Sequence, residues 1–306
     1  MAGAEESISL LSRANLALIA LAVVLEAASV ASYSALTRVL LAAPGTPYPA
    51  IVAADLTGLG VSHAVPGGAA VGSAVRYRLL RRGTTMGSED VVLALTFESV
   101  VSSVALVAIL WVGLIASIPF FGLSPAYVTT AVVCAVVLGG IALALVGLTR
   151  ADAVAPRVAV WIIDRLPARL RPRLTAALHY GATRLGSLLA NGPLLRASSG
   201  WALANWLFDA ASLWTFLAAY GFLAQPLGLL VVYSVATLAA SVPITPSGLG
   251  VIEALLIPAV VALGADHTIA VIGVISWRLF EFWVPIPLSG VTYLAIRVRE
   301  YLVRAR

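Results

Sequence analysis

Seven apolar runs alternate with short polar stretches along the chain, at roughly 15–41, 48–75, 90–116, 127–149, 201–222, 227–264 and 268–296. A single bilayer crossing by a helix takes about 20 apolar residues, so most of these runs predict one transmembrane helix each. The sixth run is too long for that. It is interrupted between Pro243 and Gly248, and it predicts either two spans or a re-entrant hairpin. The second run has a similar interruption at Pro66-Gly67-Gly68, in a comparable place in the other half of the chain. Paired Gly/Pro interruptions of this kind point to a transporter-like internal repeat with a site where the breaks meet, and leave open whether the repeats are inverted. The plainer reading is that each Pro-Gly marks a loop. The expected fold is an all-α polytopic integral membrane protein with about six full spans plus one broken or re-entrant hairpin, in seven or eight apolar segments. Residues 1–306 are read as one transmembrane domain.

Composition agrees: 61% of residues are hydrophobic and 11% charged, and mean hydropathy is +1.01. No stretch is long and polar enough for a separate soluble domain. The formal charge is +5, and every basic residue is Arg. Basic residues beside apolar spans follow from the positive-inside rule and from attraction to anionic lipid, which makes nucleic acid a poor partner for this charge. With both termini cytoplasmic and six full crossings plus the 227–264 hairpin, Arg13, the cluster Arg76/Arg78/Arg81/Arg82, the loop Arg150–Arg196 and the tail Arg297–Arg306 fall inside. Arg38 alone falls outside, and Arg278 lies within the membrane. A Cys placed at Arg171 is therefore expected to react only with membrane-permeant reagents in intact cells; labelling by an impermeant reagent contradicts this placement. Glu5 and Glu6 occupy the place of a basic n-region and the run after them is long, so the first segment reads as a retained span of an inner (plasma) membrane protein rather than a signal peptide.

The loop at about 150–200 repeats Arg165, Arg169 and Arg173 every four residues, with Leu166, Leu170, Leu174 and Leu178 one position later. This predicts a basic amphipathic helix on the cytoplasmic surface, interrupted by Pro167 and Pro172, that anchors to anionic headgroups. Cys134 is the only cysteine, so no intramolecular disulfide forms. His63, His179 and His267 lack ligand spacing, and no nucleotide-binding loop of the Walker type is present. No cofactor or metal is expected.

The segment Ser241–Glu253 concentrates the chemistry. A broken helix in hydrocarbon needs shelter from protein or a wet cavity, and an acid at such depth reads as functional. A half-helix beginning near Ser247 offers unpaired amides and a positive dipole end suited to phosphate, with Thr245 or Ser247 as its cap. Capping alone and contact with a substrate are both open for these hydroxyls. Glu253 follows on that half-helix. Arg278 and Glu281 share a face of the last span at i and i+3. They form a local ion pair, or Arg278 pairs with Glu253 or grips phosphate through its planar fork. Glu26, Asp55, Glu98 and Asp209 are further acids within apolar runs and must face the interior or a cavity, which makes a hydrated acidic cavity or a proton path one reading. The candidate substrate-binding set is Thr245, Ser247, Gly248, Gly250, Glu253, Arg278, Glu281 and Asp209, with Gly67, Gly68 and Arg76 from the first break. No residues group as a catalytic centre, and the chain is not read as an enzyme.

The motifs PSGLGVIEA (246–254), WRLFEFWVPIPLSG (277–290) and ANWLFDAASLW (204–214) resemble the flippase-like family of the lysylphosphatidylglycerol synthase transmembrane region, the membrane half of the multiple peptide resistance factor. The first break, VPGGAAVGSAVRYRLL (65–80), departs from that family's P-G-G-x-G-E-x-x-R: Val71 stands at the Glu position and Arg76 is displaced. The resemblance implies a domain that moves polar-headed lipids between leaflets, here without the synthase domain. The function it implies is a translocator for a phospholipid or polyprenyl-linked lipid. The alternatives are a noncatalytic partner or scaffold of a lipid- or cell-envelope-synthesis enzyme and, less favoured, a membrane-embedded lipid transferase. A homodimer or an envelope-synthesis enzyme is the possible protein partner.

Overall fold

The computed structural model describes residues 14–41, 46–65, 67–121, 181, 183, 186–241 and 245–304. The 127–149 run, Cys134 and the Arg/Leu repeats of 165–178 lie outside them.

Nine α-helices are described: α1 (Leu16–Leu41), α2 (Tyr48–Ala64), α3 (Gly68–Gly83), α4 (Ser88–Phe121), α5 (Gly192–Ala219), α6 (Pro226–Ala240), α7 (Val251–Ala262), α8 (His267–Arg278) and α9 (Pro285–Arg304). No strand occurs among the described residues. Three stretches, Leu16–Leu41, Ser88–Pro119 and His267–Val298, are long and apolar enough to cross a membrane, and α6 and α7 are shorter apolar helices. The starts are written locally. Asn191 accepts from the Leu194 amide (3.1 Å), Gln225 from Gly228 (2.5 Å) and Asp266 from Thr268 (2.8 Å). Prolines fill the first positions of α2, α5 and α6, where a missing N–H costs nothing.

The two halves have the same element order. A shift of 178 residues carries Tyr48, the first residue of α2, onto Pro226, the first of α6. The same shift carries Ser88, which opens α4, onto Asp266, the N-cap of α8. The halves also exchange partners. Helix α2 packs against α9, with Thr57 and Thr292 hydroxyls 2.9 Å apart. Helix α6 packs in the same way against the C-terminal part of α4, where Val107, Leu110 and Leu114 form a small core with Val231.

The axis of this arrangement is the α1–α5 pair. The Asn15 amide donates to Ala219 O (3.0 Å), Ser212 Oγ to Ala22 O (3.0 Å) and Asn205 Nδ2 to Ser29 O (3.1 Å). Positions rise along α1 as they fall along α5, so these equivalent helices are antiparallel. The halves are therefore inverted, which the sequence left open.

This overturns part of the expected topology. A scheme of six full crossings makes the first run and the 201–222 run point the same way, and they point oppositely. The error lies in the second run. Residues 48–83 do not cross as one helix but fold back as a hairpin, α2 against α3. Glycines allow the close approach: a Cβ at Gly72 would sit 2.4 Å from Gly58 O, and one at Gly68 2.1 Å from Ser62 O. One crossing fewer reverses the direction of every later helix. A cross-linkable Cys pair at Asn15 and Ala219 is expected to join, and a pair at Asn15 and Gly192 is not. The opposite outcome, read as an intramolecular cross-link on a gel, contradicts the antiparallel pairing.

Candidate functional site

The broken tips of the two hairpins meet. Ser247 Oγ donates to Ser62 O (3.3 Å), and the short 3-10 turn Pro246–Gly248 contacts both α2 and α3. The second tip needs left-handed backbone at Ser247 (φ 44°), Gly248 (φ 70°) and Gly250 (φ 83°). Two glycines adopt this freely. Ser247 does so at a cost of order 1 kcal/mol, a strain that concentrates at functional positions.

These conformations delay the helix. It begins at Val251 with Gly250 as its N-cap, so the expected cap by Thr245 or Ser247 does not form. Glu253 Oε2 instead accepts from the Gly250 amide (2.7 Å). Ser247 ties the tips together, and Thr245 Oγ1 is buried with no partner.

Arg278 lies beside this tip and is 2% exposed. Its Nε donates to Glu253 Oε1 (2.8 Å) and its Nη1 to Glu281, so the two pairings weighed from the sequence coexist. The guanidinium stacks 4.7 Å from the Phe282 ring. Its Nη2 is buried without a hydrogen-bond partner. A π-helical turn, Leu279–Trp283, follows Arg278 and re-aims the side chains after it. It also presents Phe282 O to His63 Nδ1 (2.9 Å). A carbonyl only accepts, so that nitrogen carries the proton. The His63 ring stacks on Phe282 at 4.5 Å, linking the first hairpin to the Arg278 turn.

Arg76 does not join this site. It forms the equivalent cluster of the first half: Nε to Asp55 (2.7 Å), Nη2 to Glu98 (2.8 and 2.9 Å) and to Thr37 (2.7 Å), over the Tyr33 ring. The charges of the two halves are exchanged. In the first, the Arg is on the second hairpin arm and the Glu on the following helix. In the second, Glu253 is on the arm and Arg278 on the helix. Gly67 and Gly68 shape the first tip. Gly67 has φ +68° with open space around its Cβ position, whereas Gly68 abuts Ser62 O. Gly68→Ala is expected to destabilise by about 1–3 kcal/mol through overpacking, and Gly67→Ala by about 1 kcal/mol through left-handed strain. Thermal unfolding in detergent orders them, and equal shifts would contradict the tight hairpin.

Asp209 lies one shell away. Its Oδ2 accepts from Tyr233 (2.7 Å) and its Oδ1 from Trp277 Nε1 (2.8 Å), the neighbour of Arg278. Asp209, Glu281, Glu26 and Asp55 line one cavity of about 370 Å³ between the halves, with Tyr33 and Asn205. Sequence reading gave His63, Tyr33, Tyr233 and Trp277 no role. The 178-residue shift, which carries Asp55 onto Tyr233, was the available signal for that tyrosine. No group of residues able to hold a metal ion occurs among the described residues.

Residues 1–289 match the family model described as lysylphosphatidylglycerol synthase TM region. No curated protein matches the chain.

Proposed function

The chain belongs to the lysylphosphatidylglycerol synthase transmembrane-region family, and on that premise we propose that it translocates a phospholipid or polyprenyl-linked lipid between membrane leaflets, with the headgroup phosphate held where the hairpin tips meet. The observation that carries this reading is the unused Arg278 Nη2, buried beside the start of α7. A buried donor without a partner costs about 1–3 kcal/mol, more when charged. A phosphate oxygen would satisfy it, and the first-turn amides of α7 would take a second oxygen. Glu253 and Glu281 hold the guanidinium in place until a phosphate competes for it. A noncatalytic partner would have no use for such a donor.

In the membrane we place four of the described segments as crossings (α1, α4, α5 and the continuous α8–α9), with two re-entrant hairpins entering from opposite faces. The N-terminal end of α1 faces outward and the C-terminal tail is cytoplasmic. Arg38, the Arg76–Arg82 cluster, the Arg150–Arg196 loop and the tail are then all on the cytoplasmic side, leaving only Arg13 outside. The Arg-rich loop binds anionic headgroups at that surface. The N-terminal placement replaces the cytoplasmic one expected from counting crossings.

Reconstitution tests the reading. Liposomes containing the protein are expected to expose headgroup-labelled phosphatidylglycerol or polyprenyl phosphate to a membrane-impermeant quencher faster than empty liposomes do. Rates equal to empty liposomes for both lipid classes would overturn it.

A further inference from the structure

The α1–α5 seam holds two carboxyls that no cation among the described residues is seen to pair with. Glu26 and Asp209, each 8% exposed, lie on it between the Ala22–Ser212 and Ser29–Asn205 contacts and line the same cavity. Both Asp209 oxygens already accept from neutral donors, Tyr233 and Trp277, which suits an ionised acid with lone pairs to spare. Glu26 Oε2 is buried with no hydrogen-bond partner. Two ionised carboxylates buried in one cavity with no cation between them are strongly disfavoured, so one of the two holds a proton. The acidic groups around them add to the pressure. Glu281 and Asp55 share the cavity, and one Asp55 oxygen is likewise unpartnered. The guanidiniums of the two charge clusters are already engaged, Arg278 with Glu253 and Glu281, and Arg76 with Asp55 and Glu98.

We propose that Glu26 and Asp209 form a proton-binding dyad that couples lipid movement to a transmembrane proton gradient. The proton rides on the Glu26 carboxyl and is donated to Asp209. Its release to the cavity leaves two adjacent carboxylates between α1 and α5, the pair on which the inverted halves turn. That repulsion loosens the seam, and reprotonation closes it. This rests on the lipid-translocation reading for its consequence, but the dyad itself does not.

Two measurements separate them. Infrared spectroscopy of the purified protein at neutral pH is expected to show the C=O stretch of a buried carboxylic acid that disappears in Glu26→Gln. Its absence from the wild type, or its persistence in the variant, would overturn the dyad whatever the lipid result. In liposomes with labelled phosphatidylglycerol, an imposed gradient of one pH unit supports up to about a tenfold leaflet ratio for one proton per lipid. Wild type is expected to approach such a ratio, and Glu26→Gln and Asp209→Asn to remain near unity. Rapid equilibration to unity in wild type, or a ratio driven by a sodium gradient at equal pH, would overturn coupling while leaving translocation standing. Failure of lipid to move under any gradient would overturn the translocation reading and the coupling with it.

Discussion

Arg278→Gln is expected to abolish lipid translocation. The substitution removes the donor proposed for phosphate and leaves Glu253 and Glu281 facing each other without their shared cation. Breaking a buried ion pair from one side costs about 3–5 kcal/mol, and the partial exposure of both glutamates, with side chains 22% and 23% accessible, lowers that figure here. The two contributions separate experimentally. The double variant Arg278→Gln/Glu253→Gln relieves the stranded charge and should recover thermal stability without recovering transport. Arg278→Lys keeps the charge but loses the planar fork, so it should fold well and move lipid slowly. Transport at the wild-type rate in folded Arg278→Gln would remove this residue from the mechanism.

Arg76→Gln is expected to act oppositely, with its main effect on folding. Arg76 is clamped by Asp55, Glu98, Thr37 and the Tyr33 ring, drawn from α1, α2 and α4. Its loss strands two acids, Asp55 (3% exposed) and Glu98 (1% exposed). The expected cost is about 3–5 kcal/mol, seen as a large fall in unfolding temperature. The double variant Arg76→Gln/Glu98→Gln should regain part of it. Transport per folded molecule should change far less than in Arg278→Gln. An unfolding temperature unchanged by Arg76→Gln would contradict the clamp.

These contrasting roles mark what could be read from residues alone. The break at 243–248 was legible because Pro and Gly stop helices wherever they fall. The Arg278–Glu281 pair was legible because i,i+3 spacing puts both on one face. The first break, at Pro66-Gly67-Gly68, was legible in the same way, but the hairpin it makes was not. Its 28-residue apolar run has the length of one crossing, and only the packing of Gly58 and Gly72 reveals that it turns back. The directions of all later helices depend on that turn, so counting it as a crossing makes α1 and α5 parallel where they are antiparallel. The partners of Arg76 were not legible, because Thr37, Asp55 and Glu98 lie on three elements that no spacing rule connects. The helix cap shifted from Ser247 to Gly250 because backbone sign, not side-chain type, decided where α7 begins.

If lipid passes where the hairpin tips meet, locking the tips together must stop it. Ser62 and Ser247 are joined by a 3.3 Å hydrogen bond. In a protein whose Cys134 is replaced by Ala, cysteines at these two positions, oxidised to a disulfide and reconstituted in liposomes, should halt exchange of labelled lipid between leaflets. Reduction should restore it. Equal rates in the oxidised and reduced protein, with the cross-link verified, would contradict the account.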